Sequence, residues 1–119
     1  MYISAYKNLN VWQKANHPVL EVYKYSKKFP KDEVFGLTSQ IRRCAVSVPA
    51  NIVEGYGRNT KKDKTHFYYI SRGSLNELEY YINLAFQLGY FNKNEHEILV
   101  GLKDAVGRLL SGFIKASEK

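Results

Sequence analysis

The sequence predicts an all-α protein, an antiparallel up-down-up-down four-helix bundle that forms one domain over residues 1–119. In four long segments, apolar residues recur at three- and four-residue steps, the spacing of a helix with one buried face. The segments between them are short, which favours antiparallel neighbours. No part of the chain alternates apolar and polar residues as a half-buried strand does. A chain of 119 residues is also long enough for one hydrophobic core.

The first helix is predicted to lie before residue 29. Asn8 or Asn10 can cap its start, because a short polar side chain there accepts a hydrogen bond from the first turn. Phe29 and Pro30 end it, since proline cannot continue a helix. Its apolar face comprises Val11, Trp12, Ala15, Val19, Val22 and Tyr23.

The second helix is predicted to begin near Asp32 or Glu33, because the helix dipole favours an acid in the first turn. It ends at Gly55 and Gly57, since glycine is common where a helix terminates. Its apolar face comprises Leu37, Ile41, Ala45, Val48, Ile52 and Tyr56.

The third and fourth helices are separated by Gly89, a residue typical of helix C-termini. Thr60 or Asp63 can cap the third helix, and Asn92 with Glu95 can form a capping box for the fourth. The third helix places Phe67, Ile70, Leu75, Leu78, Ile82 and Ala85 on one face. The fourth does the same with Ile98, Leu99, Leu102, Val106, Leu109, Leu110 and Phe113.

The composition limits the class of protein. Hydrophobic residues make up 45% of the chain, which excludes a disordered one. No apolar run is long enough to cross a bilayer, and no signal peptide precedes the first helix, so we expect a cytoplasmic protein without a membrane partner. Cys44 is the single cysteine, so an internal disulfide cannot form, in agreement with a reducing compartment.

The positive charge is unevenly distributed. The net charge is +7, and residues 1–72 carry 13 Lys and Arg against 5 Asp and Glu, whereas residues 73–119 carry 5 against 6. Such an excess suits a polyanionic partner, although lysine-rich surfaces also keep proteins in solution. The cations cluster as Lys24, Lys27, Lys28 and Lys31, as Arg42 and Arg43, and as Arg58, Lys61, Lys62 and Lys64.

Two segments combine cations with aromatic rings, at residues 23–28 and 61–69. Bases stack on exposed rings while Lys and Arg hold the phosphates, so this composition suits single-stranded nucleic acid. The alternative is that most of these rings face the core. Of the two basic junctions, we predict that nucleic acid binds at the junction of the second and third helices. Arg42 and Arg43 can extend either junction surface if they point outward. The junction cations are Arg58, Lys61, Lys62 and Lys64.

A row of polar residues follows one face of the second helix, at the three- and four-residue spacing that places side chains on one side. We expect this polar seam to face another helix, in the same chain or in a second copy, and to fix helix register or subunit geometry. The row is Gln40, Ser47, Asn51 and Glu54, with Arg43, Arg72 or Ser74 as expected partners.

No arrangement of residues indicates catalysis, a metal or a cofactor. His17, His66 and His96 lie on three different segments, and none has a metal-ligand spacing to another donor. Cys44 lies beside the apolar face of the second helix, where a buried and inert thiol is expected. Glu54 lacks a second carboxylate, histidine or nucleophile, and a general acid acting alone is uncommon. We therefore predict a protein that is not an enzyme.

Five segments together resemble a known family. They are residues 9–15 (LNVWQKA), 29–30 (FP), 36–43 (GLTSQIRR), 47–58 (SVPANIVEGYGR) and 72–78 (RGSLNEL). These segments are similar to the four-helix bundle proteins first described as products of intervening sequences in bacterial 23S ribosomal RNA genes. The similarity extends over nearly the whole chain, and Pro18 and Cys44 are local departures from it.

The resemblance implies a small antiparallel bundle that assembles as a ring, in several relatives a homopentamer. One relative is the accessory protein of diversity-generating retroelements, a basic pentamer that binds nucleic acid and a reverse transcriptase. No catalytic residues are established in the family. The 17 aromatic residues of this chain also fit rings buried between subunits.

Two functions follow as hypotheses. The first is a non-catalytic homo-oligomer, most simply a pentamer, that binds RNA or single-stranded DNA through its basic surface. The alternative is a scaffold that binds protein, such as a neighbouring gene product, with its charge serving only solubility. Phosphate-driven binding weakens steeply with salt, so a salt titration separates the two hypotheses.

Overall fold

The computed structural model describes residues 2–119 and contains the four predicted helices. They are α1 (Asn10–Ser26), α2 (Leu37–Tyr56), α3 (Lys61–Gln87) and α4 (Lys93–Ser117). Short 3-10 helices at Tyr2–Asn8 and Lys31–Glu33 precede α1 and α2. Residues 2–119 include no strand, so the predicted all-α class is confirmed.

The start of α2 differs from the prediction. Asp32 and Glu33 form the short 3-10 helix, and α2 begins only at Leu37. Glu33 still caps α2 from outside, because its carboxylate accepts a hydrogen bond of 3.1 Å from the Leu37 N–H. The Tyr90 hydroxyl donates a second hydrogen bond, of 2.8 Å, to the same carboxylate. These two bonds favour the charged form, so the pKa of Glu33 is lowered.

The start of α1 also differs from the prediction. The residue that precedes the helix is Leu9, which has an extended backbone and provides no side-chain cap. Asn8 ends the preceding 3-10 helix, and Asn10 is already the first helical residue. Neither asparagine therefore occupies the capping position that the sequence indicated.

The starts of α3 and α4 are as predicted. The Thr60 hydroxyl oxygen accepts a hydrogen bond of 3.1 Å from the Asp63 N–H. Asn92 and Glu95 form a reciprocal capping box, with bonds of 2.8 Å and 2.9 Å. Gly89, between the two helices, has φ +80°, a left-handed conformation that glycine adopts without strain. Local sequence therefore determined both boundaries.

Contacts between α2 and α3 show that the two helices run in opposite directions. The Ser47 and Ser74 hydroxyls lie 2.7 Å apart. Further along α2, Gly55 approaches Tyr68, near the start of α3. Later residues of α2 thus meet earlier residues of α3, as the predicted antiparallel order requires.

The bundle is elongated, 43 × 23 × 22 Å, and has two distinct ends. At the α1–α2 end, Lys28 lies 2.5 Å from Glu95, in the first turn of α4. At the α2–α3 end, the Lys61 ammonium donates to the carbonyl oxygen of Lys119. The α1–α2 junction and the α2–α3 junction therefore lie at opposite ends of the molecule.

The core lies along the bundle axis and receives side chains from all four helices. Ile41, Ile52, Leu78, Leu99 and Leu110 are among the residues that are almost fully buried. Burying a side chain of this size contributes about 1.5–3 kcal/mol, so the axis supplies most of the stability. Among residues 2–119, no helix combines the length and apolarity needed to cross a bilayer.

Candidate nucleic-acid interface

The junction cations lie together at the α2–α3 end of the bundle. Arg58 follows α2, while Lys61, Lys62 and Lys64 occupy the first turn of α3. Because they share one end, their charges add within a short distance. Their availability to a ligand depends on the contacts that each makes within the chain.

Lys64 is half-buried and serves the fold. Its ammonium donates a hydrogen bond of 2.9 Å to the carbonyl oxygen of Tyr56, the last residue of α2. It also lies 5.3 Å from the centre of the Tyr56 ring. A cation at a helix C-terminus donates a hydrogen bond to a free carbonyl and interacts favourably with the negative end of the helix dipole. Lys64 is therefore bound to α2 rather than free at the surface.

Arg58 and Lys61 are partly engaged, and Lys62 is exposed. The Arg58 guanidinium lies 2.9 Å from Glu54 and 4.6 Å from the centre of the Phe67 ring. Both members of the Arg58–Glu54 pair are about half exposed, so it contributes at most about 1 kcal/mol and opens readily. Arg58 and Lys61 can exchange these contacts for phosphate, whereas Lys62 needs no such exchange.

Arg42 and Arg43 differ in orientation. Arg42 turns towards α1, where its Nε donates a hydrogen bond of 2.9 Å to the Ser26 hydroxyl. Its guanidinium also lies 4.8 Å from the centre of the Tyr23 ring. These contacts place Arg42 at the α1–α2 end, away from the junction cations, so of the two basic surfaces it can extend only the one at the α1–α2 end. Arg43 is exposed.

Half of the predicted polar seam is a hydrogen-bonded cluster between α2 and α3. The Ser47 hydroxyl contacts that of Ser74, and the Asn51 amide donates 2.8 Å and 3.0 Å bonds to Ser47. The Cys44 thiol donates to the Ser74 carbonyl at 3.0 Å. Among residues 5–119, whose side chains the structure describes, no buried side-chain N or O atom lacks a partner. The cluster therefore satisfies itself.

The other members of the seam are not covered within this chain. Gln40 and Glu54 are exposed, so within this chain neither packs against another helix. Their spacing places them on the same face of α2 as Ser47 and Asn51, but this face is exposed to solvent at both ends of the row. Arg72 lies on the opposite side of α3 from Ser74, against α4. The structure thus separates Arg72 from the seam.

Arg72 lines a groove between α3 and α4, which we name the α3–α4 groove. It encloses about 450 Å³. One wall carries Arg72 and the other carries Arg108. The remaining lining residues are Leu75, Asn76, Lys103, Asp104, Gly107 and Ser111.

Arg108 lies in this groove although no sequence pattern indicated it, and Arg72 faces α4 rather than the seam. Arg108 belongs to the half of the chain whose charges balance, so charge counting passes over it. Helical spacing places Tyr69, Arg72 and Asn76 on one face of α3, and this pattern was the available indication. It does not show which neighbouring helix that face meets.

Comparison with known proteins identifies the family. The family model of the 23S rRNA-intervening sequence protein matches residues 7–112. The chain belongs to this family. The resemblance seen in the sequence is therefore confirmed over most of the chain.

A solved structure supports the fold of this 23S rRNA-intervening sequence protein. It is the crystal structure of a protein of unknown function from the S23 ribosomal protein family of Bacteroides thetaiotaomicron. The two superpose with a TM-score of 0.80 at 24% identity, over 88% of this chain and 98% of the other. At this identity the similarity concerns the fold alone. Among curated proteins, no sequence matched the chain.

Cys44 and the potential metal-ligating side chains are the remaining candidates for chemistry in this family member. Cys44 is buried, and burial raises the pKa of its thiol to about 12. The reactive thiolate is therefore strongly disfavoured. Within residues 2–119, no three His, Cys, Asp or Glu residues are grouped so that they could hold a metal ion.

Proposed function

We propose that this protein is a non-catalytic oligomeric module that binds RNA or single-stranded DNA through its basic surface. The observation that carries the proposal is the charge distribution, with 13 Lys and Arg against 5 Asp and Glu in residues 1–72. Phosphate contacts supply most of the affinity of such a surface. The partly exposed rings of Tyr56 and Tyr69 lie at the α2–α3 end, where stacking can supplement charge.

A salt titration tests the nucleic-acid function. A labelled single-stranded RNA and its DNA counterpart are titrated with protein from 50 mM to 300 mM salt, and anisotropy gives each affinity. For single strands, log K falls with log salt by about 0.7 per neutralised phosphate, so contact with several phosphates gives a steep slope. Absence of binding at the lowest salt contradicts the proposal.

Charge reversal at Lys61 and Lys62 tests the location at the α2–α3 end. The double variant Lys61→Glu with Lys62→Glu leaves Lys64 in place, because Lys64 caps α2. We expect a weaker affinity and a shallower salt slope. Lys24→Glu with Lys93→Glu changes the charge equally at the opposite end and is the matched control. Equal losses in both variants would show that the α2–α3 end is not preferred.

The non-catalytic part of the proposal is supported by the buried thiol and by the separation of the histidines along the chain. Cys44 is held protonated by burial. Glu54, the one acid considered for catalysis, faces solvent and pairs with Arg58. The proposed function needs no cofactor. This part would be contradicted if the purified protein hydrolysed the labelled strands and a point mutation in this chain abolished that hydrolysis.

We also propose that the bundle assembles as a cyclic homo-oligomer of five subunits. Large exposed apolar side chains support it, because an interface between subunits would remove them from water. Those at least half exposed are Leu20, Val34, Phe35, Tyr80 and Leu88. A closed ring needs two different patches in contact. Light scattering at micromolar concentration that reports a 13.8 kDa particle would contradict it.

A second function, a protein-binding scaffold, is favoured by Phe35. This side chain is 94% exposed beside Val34, which is 52% exposed, in the segment before α2. An exposed aromatic anchor of this kind is typical of protein interfaces. A scaffold without a nucleic-acid role predicts no binding of either strand at low salt. Phe35→Ser would then lower affinity for the protein partner alone.

A further inference from the structure

The two arginines of the α3–α4 groove have donors that the protein does not use. Lys103, in the same groove, is neutralised by Glu79 at 2.5 Å and Asp104 at 3.4 Å. Neither Arg72 nor Arg108 is in any ion pair within residues 5–119. A guanidinium carries five N–H donors in a planar fork that matches a phosphate. The groove therefore presents two guanidinium groups that are outside any ion pair and can bind phosphate.

Tyr69 holds Arg72 in position and adds an aromatic surface. The Arg72 guanidinium lies 4.8 Å from the centre of the Tyr69 ring. The Tyr69 hydroxyl donates a 2.5 Å hydrogen bond to the Glu118 carboxylate, which fixes the ring against the end of α4. That bond also raises the pKa of Tyr69. The ring is still 42% exposed, so a base can reach it.

The shape of the groove leaves room for a ligand. Gly107 contributes no side chain, and a Cβ there would lie 3.7 Å from Leu75, which forms an apolar floor. Helical spacing places Lys61 and Lys62 on the same face of α3 as Arg72 and Tyr69, nearer the α2–α3 end. From Lys61 to Asn76 the helix rises about 22 Å, enough for several phosphates of one strand.

We infer that the α3–α4 groove is the path of a single nucleic-acid strand, with Arg72 and Arg108 on its phosphates and Tyr69 stacked on a base. The inference rests on the proposed function and adds to it a site and a binding mode. Charge alone would suit any polyanion. The combination of a fixed ring, a guanidinium and a linear row of cations is the combination that a strand of stacked bases needs.

Neutralising the two arginines tests the phosphate contacts. Arg72→Gln with Arg108→Gln is compared with Lys24→Gln with Lys93→Gln, which removes two cations at the far end. We expect the double arginine variant to bind about tenfold or more weakly at 50 mM salt, and the double lysine variant to show a much smaller loss. The salt slope should fall by about 1.4, the value for two lost phosphate contacts.

Replacing the tyrosine tests the stacked base. Tyr69→Leu keeps an apolar side chain but removes the ring, and we expect it to weaken oligonucleotide binding about tenfold. Heparin is the second probe, because it is a polyanion without bases. The double arginine variant should bind both probes more weakly, whereas Tyr69→Leu should weaken binding of the oligonucleotide only. Inorganic phosphate at millimolar concentration should not displace the oligonucleotide.

The outcomes separate the inference from the function. If the unmodified protein and the Arg72→Gln, Arg108→Gln variant bind the strand equally well, the groove is not the site and the proposed function stands. If Tyr69→Leu weakens heparin and the strand alike, the base contact is wrong. If the unmodified protein binds neither strand at 50 mM salt, the proposed function fails and the inference fails with it.

Discussion

The two sides of α3 are built differently. Towards α2, the helices approach so closely that Gly55 has no room for a Cβ, and the polar groups of Ser47 and Ser74 satisfy each other. Towards α4, an open groove of about 450 Å³ lies on the surface between the helices and contains two arginines outside any ion pair within residues 5–119.

The difference shows that an ordered polar row on a helix is not by itself a binding surface. At the closed α2–α3 interface, each polar group has a partner within the chain, so a ligand would have to displace an existing bond. At the open α3–α4 groove, neither guanidinium is in an ion pair within residues 5–119, so a phosphate displaces no carboxylate from them. Function is therefore expected on the open side and stability on the closed side.

The largest expected effect concerns Cys44 at the closed interface. Burial raises the pKa of this thiol to about 12, so at pH 8 the folded protein should be alkylated at least about a hundredfold more slowly than the unfolded chain. Mass spectrometry after iodoacetamide treatment, with and without urea, measures both rates. Equal rates would show that the interface opens readily.

The same pKa shift sets the direction of a pH effect. Folding favours the protonated thiol, so this contribution to the free energy of unfolding is complete below the ordinary pKa of 9.0. It is lost as the pH rises from there towards 12, because only the unfolded chain then releases the proton. Cys44→Ala should remove this part of the alkaline loss of stability.

The next effect tests the close approach at Gly55. In Gly55→Ala, the new Cβ would lie 2.6 Å from the Tyr68 ring and 2.8 Å from the Lys64 carbonyl oxygen. We expect the free energy of unfolding to fall by about 2 kcal/mol, since overpacking outweighs the helix propensity gained. Urea denaturation measures the change.

Gly73→Ala is the matched control for Gly55→Ala. Gly73 lies inside α3 with nothing within 4 Å of a new Cβ. It should gain up to about 1 kcal/mol from helix propensity alone. If both variants change stability in the same direction, the α2–α3 interface is looser than the structure indicates.

The fold was largely predictable because its determinants are local. Apolar spacing located the four helices, and the residues Thr60, Gly89 and Asn92 fixed the boundaries of α3 and α4. The start of α2 was missed because Glu33 caps it from four residues away, across the turn formed by residues 34–36. Such a cap depends on how the chain folds back, which no short sequence pattern specifies.

The site was less predictable because it depends on which neighbour each helix face meets. Spacing places Gln40, Ser47, Asn51 and Glu54 on one face, but only the middle of that face is covered by α3. Arg42 is withdrawn from the surface by Ser26, a residue on another helix. Pairings between helices of this kind follow from the packed bundle rather than from the sequence of either helix.

A smaller effect is expected at Ser71, on the closed side. Its hydroxyl is fully buried and donates a 2.7 Å hydrogen bond to the Val48 carbonyl. Ser71→Ala should lower the free energy of unfolding by about 1 kcal/mol, the usual contribution of one such bond. Ser111→Ala, in the α3–α4 groove, is the control and should change it by less than about 0.5 kcal/mol. A similar loss in both would remove the distinction between the two sides.

The smallest expected effect on stability is that of replacing the groove arginines. This test distinguishes most directly between the two sides of α3. Because Arg72 and Arg108 lie outside any ion pair within residues 5–119, Arg72→Gln with Arg108→Gln should change the free energy of unfolding by less than about 1 kcal/mol. Arg72 loses only its contact with the Tyr69 ring, which is a weak attraction at an exposed site.

Urea denaturation of this variant, beside its oligonucleotide affinity, measures both consequences on one protein. A variant that binds at least tenfold more weakly yet unfolds at the same urea concentration places the arginines in function rather than in the fold. A variant that loses several kcal/mol of stability would show that the groove is a structural interface, as tightly determined as the α2–α3 side.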